Sequence, residues 1–197
     1  MTAKYVLPLV GVLGLAACGG GGGGGNGAPT LAQLYSEASD LSASLVNVDP
    51  ADTLPGSGTA QYEGVIVLKD AAAPAMGSGD GFIGDVFLQA TFSGGGGGNV
   101  SGTAGGFFTT TVDGAGNPGG AGNSVAGSLN IDSTAFGPDG DGVAPFEGIT
   151  ATVMGTLDVD EDGSTNAVNG TVIGSIGDEQ ANDADFIVLS TTGGPLA

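Results

Sequence analysis

The sequence contains no histidine and no tryptophan, and Cys18 is its only cysteine. Histidine is the side chain best suited to proton transfer near neutral pH, so its absence excludes Ser-His-Asp and Cys-His catalytic sites. A lone cysteine forms no intramolecular disulfide, and without histidine it cannot build an ordinary zinc site. Paired carboxylates remain available for acid–base chemistry, but no tryptophan accompanies them to line a sugar pocket. The composition therefore predicts that the protein is not an enzyme and uses no cofactor.

Basic residues are also scarce in this sequence. Lys4 and Lys69 are the only basic residues against 21 acidic ones, and the net charge is −19. A chain of this charge repels phosphate backbones, so nucleic acid is not expected as a partner. The acidic residues are scattered along the whole chain, which favours a role in keeping the surface soluble. Electrostatic steering of a basic partner is the alternative.

The first 17 residues have the pattern of a bacterial secretion signal. Lys4 precedes a nearly pure apolar run from Val6 to Ala17, which is shorter than the roughly 20 residues that a transmembrane helix needs. Leu15-Ala16-Ala17-Cys18 closes the run and resembles the lipobox of bacterial lipoproteins. That resemblance implies cleavage before Cys18 and acylation of its thiol, so that the chain binds a membrane through the acyl groups. A free thiol in an uncleaved anchor is the alternative.

The position after the cysteine bears on the location of the chain. Residue 19 is glycine, whereas enteric lipoproteins kept in the inner membrane often carry aspartate there. The resemblance therefore implies the outer membrane, with the cell surface as a further possibility. Removal of Lys4 with the signal would leave a mature chain with one lysine against the 21 acidic residues.

The remaining chain divides by composition into three parts. Residues 18–29 hold the lipidated cysteine and a glycine-rich linker, residues 30–53 a helix and its connection, and residues 54–197 a β domain. Thr30 and Gln33 fit a capping box for a helix that runs from Thr30 to about Val46. Its apolar residues share one face at helical spacing: Leu31, Leu34, Tyr35, Ala38, Leu41, Leu45 and Val46.

From Thr59 onward the apolar period changes to two, and a unit apolar-x-Gly-x-apolar recurs, as in Tyr62-x-Gly64-x-Ile66. Alternation places these glycines on the same face as the large apolar residues. Glycine inside a strand indicates strong bending or close backbone approach, which a narrow barrel requires. We predict an all-β, small antiparallel up-and-down β-barrel with a filled core. Its seven strands lie near residues 59–69, 82–92, 99–111, 123–132, 146–159, 166–176 and 184–190, and a split fifth segment would give eight.

Some residues on the otherwise polar face of the predicted strands are apolar. They are Val65, Val67, Ile83, Phe87 and Phe107. An exposed apolar patch is typical of a docking surface. The alternative, which we favour, is that the amphipathic helix covers this patch, because nothing else in the sequence would bury the apolar stripe of the helix.

Two acidic turns are candidates for calcium binding. Asp158-x-Asp160-x-Asp162-Gly163 matches the first half of an EF-hand loop, but Asn169 stands where the bidentate glutamate belongs. The segment from Asp139 to Asp141 is a similar acidic turn. A polar hairpin tip is the interpretation we favour for both, and no metal ligand is assigned.

The β segments resemble the β-barrel domain of transferrin-binding protein B and its lipoprotein relatives. The matching stretches are Gly58-Thr59-Ala60-Gln61-Tyr62-Glu63-Gly64, Gly84-Asp85-Val86-Phe87-Leu88-Gln89-Ala90-Thr91-Phe92, Val100-Ser101-Gly102-Thr103-Ala104, Val125-Ala126-Gly127-Ser128-Leu129 and Val168-Asn169-Gly170-Thr171-Val172-Ile173-Gly174-Ser175-Ile176-Gly177. The resemblance covers about residues 58–190 and implies a surface-exposed barrel that captures an iron or haem carrier. The chain departs from the family in having one barrel rather than two lobes, so transferrin itself is not implied as the ligand.

These observations predict a lipid-anchored outer-membrane lipoprotein that acts as a non-catalytic binding module for an external protein ligand. Two alternatives remain. One is a structural envelope lipoprotein without a soluble ligand, and the other is a calcium-dependent adhesion module.

Overall fold

The computed structural model describes residues 5–6, 11–14, 28–44, 49–50, 57–70, 79–93, 97–113, 116–138, 147–158, 166–178 and 186–191. One helix, α1, spans Leu31–Ser44. The strands of six or more residues are β1 Gly58–Asp70, β2 Gly79–Ser93, β3 Gly97–Val112, β4 Gly127–Pro138, β5 Glu147–Leu157, β6 Asn166–Asp178 and β7 Phe186–Thr191. Short paired segments are Tyr5–Val6, Gly11–Gly14, Asp49–Pro50, Pro118–Gly119 and Ser124–Val125.

The seven long strands form one antiparallel sheet in which each strand pairs with the next along the chain, from β1 to β7. This order confirms the predicted all-β class with a single helix. The seven predicted strands are present, and their ends differ from the prediction by six residues or fewer. The fifth predicted segment does not split, because β5 pairs along its whole length with β4.

The predicted barrel needs a correction. Within the described residues β1 and β7 do not pair with each other, so the long strands form an open sheet and do not close into a barrel. The physical reason lies in the strand count, because the first and last of seven alternating strands run in the same direction and cannot form an antiparallel ladder. The short segment Gly11–Gly14 pairs with both strands.

The core lies on one face of the sheet, which we call the inner face. Its largest fully buried side chains include Tyr62, Leu88, Leu129, Ile131 and Leu157. Side chains alternate between the two faces of a strand, so the inner face receives every second residue. Glycines of the recurring unit fall among these apolar residues, as the sequence predicted. The buried side chains pack together as one cluster, in agreement with the predicted filled core.

A β-bulge in β3 changes which residues face the core. Ile83 pairs with Phe108 and Asp85 with Gly105, so Gly106 and Phe107 together face Gly84. Gly106 has a φ of 56°, which glycine adopts without the steric penalty of a Cβ atom. The extra residue reverses the alternation, and Phe107 packs in the inner cluster while Phe108 contacts the other side. The prediction that Phe107 lies on the outer face was therefore wrong.

The start of α1 confirms the predicted capping box. The backbone N–H of Thr30 donates to Gln33 Oε1 at 2.9 Å, and the backbone N–H of Gln33 donates to Thr30 Oγ1 at 3.3 Å. These bonds satisfy groups that the first helical turn leaves without intrahelical partners. The helix ends at Ser44, and the predicted last apolar positions, Leu45 and Val46, lie outside the described residues.

Candidate functional site

Helix α1 covers the apolar patch on the outer face of the sheet. Leu34 is fully buried and clusters with Val65, Val67, Ile83 and Val112. Partly buried residues complete this contact: Leu31, Tyr35, Ala38, Leu41 and Phe108. The predicted covering is therefore confirmed at three of the five positions proposed from the sequence. The other two differ, since Phe107 turns inward and Phe87 stays 39% exposed.

The phenol of Tyr35 attaches α1 to the segment that follows β3. Its hydroxyl oxygen lies 2.9 Å from Thr110 Oγ1 and donates a hydrogen bond to the Gly120 carbonyl oxygen at 3.0 Å. Thr110 Oγ1 in turn donates to the Gly119 carbonyl oxygen at 2.9 Å. A half-buried tyrosine with a satisfied hydroxyl packs its ring while keeping its polar end paired. The covered face is thus a structural contact between α1 and the sheet.

Three carboxylates gather where α1 meets β1 and β2. Burial raises the pKa of Glu37 above its ordinary value, and the nearby carboxylates of Glu63 and Asp85 raise it further. Desolvation and like charges both disfavour the ionised form of a carboxyl group. Among the residues that the structure describes, no three or more His, Cys, Asp or Glu side chains are arranged to hold a metal ion.

The raised pKa of Glu37 predicts how stability changes with pH. The folded state holds the Glu37 proton more tightly than the unfolded chain, so stability falls as the pH rises from the ordinary value of 4.5 through the raised value. Glu37→Gln removes this dependence and is expected to raise the urea midpoint at pH 7 relative to the wild type. Asp132→Asn, at an exposed strand position, controls for removing one negative charge. Equal gains from the two variants would contradict the prediction.

The exposed outer face beyond α1 is polar. One row of cross-strand neighbours runs across six strands and consists of Gln61, Gln89, Ser101, Asp132, Thr152 and Thr171. Thr152 Oγ1 donates to the Asp132 carbonyl oxygen at 3.2 Å within this row. The neighbouring row contains the exposed large apolar residues Phe87 and Met154, which are separated by Thr103 and Asn130. The outer face therefore offers hydrogen-bonding groups rather than a continuous apolar patch.

The edges of β1 and β7 form a second feature, which we call the seam and define by Glu63–Asp70 of β1 and Phe186–Leu189 of β7. The segment Gly11–Gly14 lies antiparallel to both edges, with Leu13 opposite Gly64 and Ile187. From the sequence, these residues are predicted to belong to a secretion signal, and no strand is expected there. The odd number of predicted strands could have indicated that one strand was missing, since an up-and-down barrel closes with an even number of strands.

Several predicted site residues lie outside the described part of the chain. These are Cys18, the glycine-rich linker up to Gly27, the acidic turn from Asp139 to Asp141, and Asp160 and Asp162. Asp158 is described and follows β5, where its backbone N–H donates to the Ala126 carbonyl oxygen at 2.8 Å. The calcium and lipidation predictions therefore remain predictions.

The described residues include no helix with the length and hydrophobicity needed to cross a bilayer. Comparison with known proteins gives no relative: no family model, no curated protein and no solved structure matches the chain.

Proposed function

We propose that the protein is a lipid-anchored lipoprotein of the outer membrane that acts as a non-catalytic binding module. The observation that carries this proposal is the N-terminal pattern, in which Lys4 and an apolar run end at Leu15-Ala16-Ala17-Cys18. Cleavage before Cys18 would make this residue the acylated N-terminus. Several acyl chains on one cysteine hold a protein on a bilayer without any spanning segment, because each buried CH₂ contributes about 0.8 kcal/mol.

The order of the segments supports the proposal. A glycine-rich linker separates Cys18 from the capped start of α1 at Thr30. Glycine-rich sequences of about this length span roughly 20 Å between their ends. That distance would hold the folded sheet clear of the lipid headgroups, which is useful for a module that binds a partner away from the membrane.

The chemistry of the outer face supports binding rather than catalysis. The polar row from Gln61 to Thr171 presents amides and hydroxyls, and the chain carries 21 acidic residues with no histidine. Such a surface suits a protein ligand with basic and hydrogen-bonding groups. Capture of an iron or haem carrier is the specific form of this function that the resemblance to transferrin-binding protein B suggests.

The N-terminal processing can be tested by mass spectrometry of the protein purified from membranes of the producing bacterium. We expect a chain that begins at Cys18 and carries acyl groups. Cys18→Ser should retain the full leader and lack the acyl mass. A wild-type protein that keeps Met1, or that is cleaved elsewhere without lipid, would contradict the proposal.

Orientation is tested by treating intact cells with protease. We expect the wild-type protein to be digested on intact cells, which would place the module at the surface and within reach of an external ligand. Protection until the outer membrane is broken would instead favour a structural role inside the envelope. The Cys18→Ser variant should be protected in both cases, because it would not leave the inner membrane.

A further inference from the structure

The seam between β1 and β7 is shaped for one additional strand. Because β1 and β7 run in the same direction, a strand between them can be antiparallel to both, and Gly11–Gly14 takes this position. Its residues pair with Leu189, Val188, Ile187 and Phe186 on one side and with Gly64 and Glu63 on the other. In the described part of the chain, this strand gives the backbone groups of both edges hydrogen-bonding partners where it lies between them.

The N-terminal segment contacts the β1 edge at two separate places. Tyr5 and Val6 pair with Asp70 and Lys69, at the far end of β1 from the pairing of Leu13 and Gly14. Both pairings are antiparallel and follow the same chain direction along β1. The edge from Glu63 to Asp70 is therefore paired at both of its ends and is not limited to one local contact.

The occupant of the seam is also the segment that the proposed processing removes. The proposed cleavage before Cys18 takes away those described residues that pair with the seam edges, namely Tyr5–Val6 and Gly11–Gly14. The mature chain would then carry two unpaired edges on either side of a gap one strand wide. Direct pairing of β1 with β7 would require a parallel ladder in an otherwise antiparallel sheet.

We infer that, in the mature lipoprotein, the seam binds an extended apolar segment of a partner polypeptide, which runs antiparallel to β1 and β7 as Gly11–Gly14 does. This inference rests on the proposed cleavage before Cys18. The leader shows the chemistry of the occupant, since Gly-Val-Leu-Gly is uncharged, free of proline and able to donate and accept backbone hydrogen bonds on both sides. The strong negative charge of the chain favours basic residues flanking the bound segment.

A peptide-binding experiment tests the inference. The probe is a fluorescent synthetic peptide with the sequence of residues 5–14 of this chain, added to the mature protein purified in detergent from membranes. Its matched control carries N-methyl groups on the amides equivalent to Val12 and Leu13. These groups remove backbone donors without lowering hydrophobicity, so partition into detergent micelles affects both peptides alike. The protein control is Cys18→Ser, which keeps its own leader beside the seam.

We expect saturable one-to-one binding of the unmodified peptide to the mature protein and binding that is about tenfold or more weaker for the methylated peptide. The Cys18→Ser protein should bind neither, because its tethered leader competes at high effective concentration. In hydrogen exchange, the amides of Phe186–Leu189 and Glu63–Gly64 should exchange more slowly after the peptide is added.

Several outcomes would overturn the inference. Equal binding of the two peptides would show that hydrophobicity, not strand pairing, drives the association. A concentration-dependent dimer with protected β7 amides would show that a second copy fills the seam, and a monomer with protected amides would show that the chain closes it itself. If mass spectrometry finds the leader on the wild-type protein, the proposed function fails together with this inference. A correctly processed protein that binds no peptide overturns the inference alone.

Discussion

Leu34→Asp is expected to lower the free energy of unfolding by about 3–5 kcal/mol, because it places a carboxylate in an apolar contact without a cationic partner. Leu34 is fully buried between α1 and the sheet, against Val65, Val67 and Ile83. For a folded unit of this size the loss corresponds to a decrease in melting temperature of roughly 10 °C. Thermal unfolding followed by circular dichroism measures it.

Ser39→Asp provides the matched control for this prediction, since position 39 is exposed on the same helix and the change adds the same charge. Its effect should stay within about 0.5 kcal/mol. Adding Leu41→Asp to Leu34→Asp should weaken the helix contact further, because Leu41 is half-buried in the same cluster. If the double variant melts at the wild-type temperature, α1 does not contribute to the stability of the sheet.

Gly84→Ala is expected to lower the free energy of unfolding, whereas Gly105→Ala is not, although the two glycines lie on neighbouring strands. A Cβ atom at Gly84 would lie 2.6 Å from the Gly105 carbonyl oxygen and 2.7 Å from Phe107 Cδ1. Relieving this overlap requires movement of the β3 backbone at the bulge, so we expect a loss of about 2–3 kcal/mol. At Gly105 the nearest atom, Asp85 Oδ1, would be 3.9 Å away, and alanine should be neutral or stabilising by up to about 1 kcal/mol.

Gly102→Ala offers a second test of the close backbone approach. Its added Cβ would overlap the Phe87 carbonyl oxygen and lie 2.6 Å from Leu88 Cδ2. We expect a loss of stability comparable to that of Gly84→Ala, measured as the shift of the urea midpoint. Similar midpoints for Gly84→Ala, Gly102→Ala and Gly105→Ala would mean that the inner glycines are not required by close packing.

The strands could be predicted because their signal is local. Alternation of apolar and polar residues, with glycine on the apolar side, repeats within each strand, and turn residues separate the repeats. The helix was equally accessible, since the capping pair Thr30 and Gln33 and the apolar stripe lie within a few turns of each other. Each of these features depends on residues that are near in sequence.

The predictions were wrong or incomplete where the structure depends on the backbone conformation of single residues or on contacts between residues that are distant in sequence. Gly105 and Gly106 are both glycines, and nothing in the sequence shows which of the two adopts a positive φ. In the structure Gly106 does, and the bulge at this position turns Phe107 inward. The seam depends on pairing between three segments that are far apart in the sequence, Gly11–Gly14, Glu63–Gly64 and Phe186–Leu189. No local pattern reports such a pairing. The candidate site at the seam therefore could not have been located from periodicity.

The position of α1 also has a mechanical consequence. If the chain is anchored through Cys18 as proposed, any tension between the membrane and a bound partner enters the folded unit at Thr30, where α1 begins. The helix is held to the sheet by side-chain packing and by the Tyr35 hydroxyl, whereas the long strands are joined by extended hydrogen-bonded ladders. Under load, α1 would detach before the strands separate. Its detachment would lengthen the tether and reduce the force that reaches the sheet.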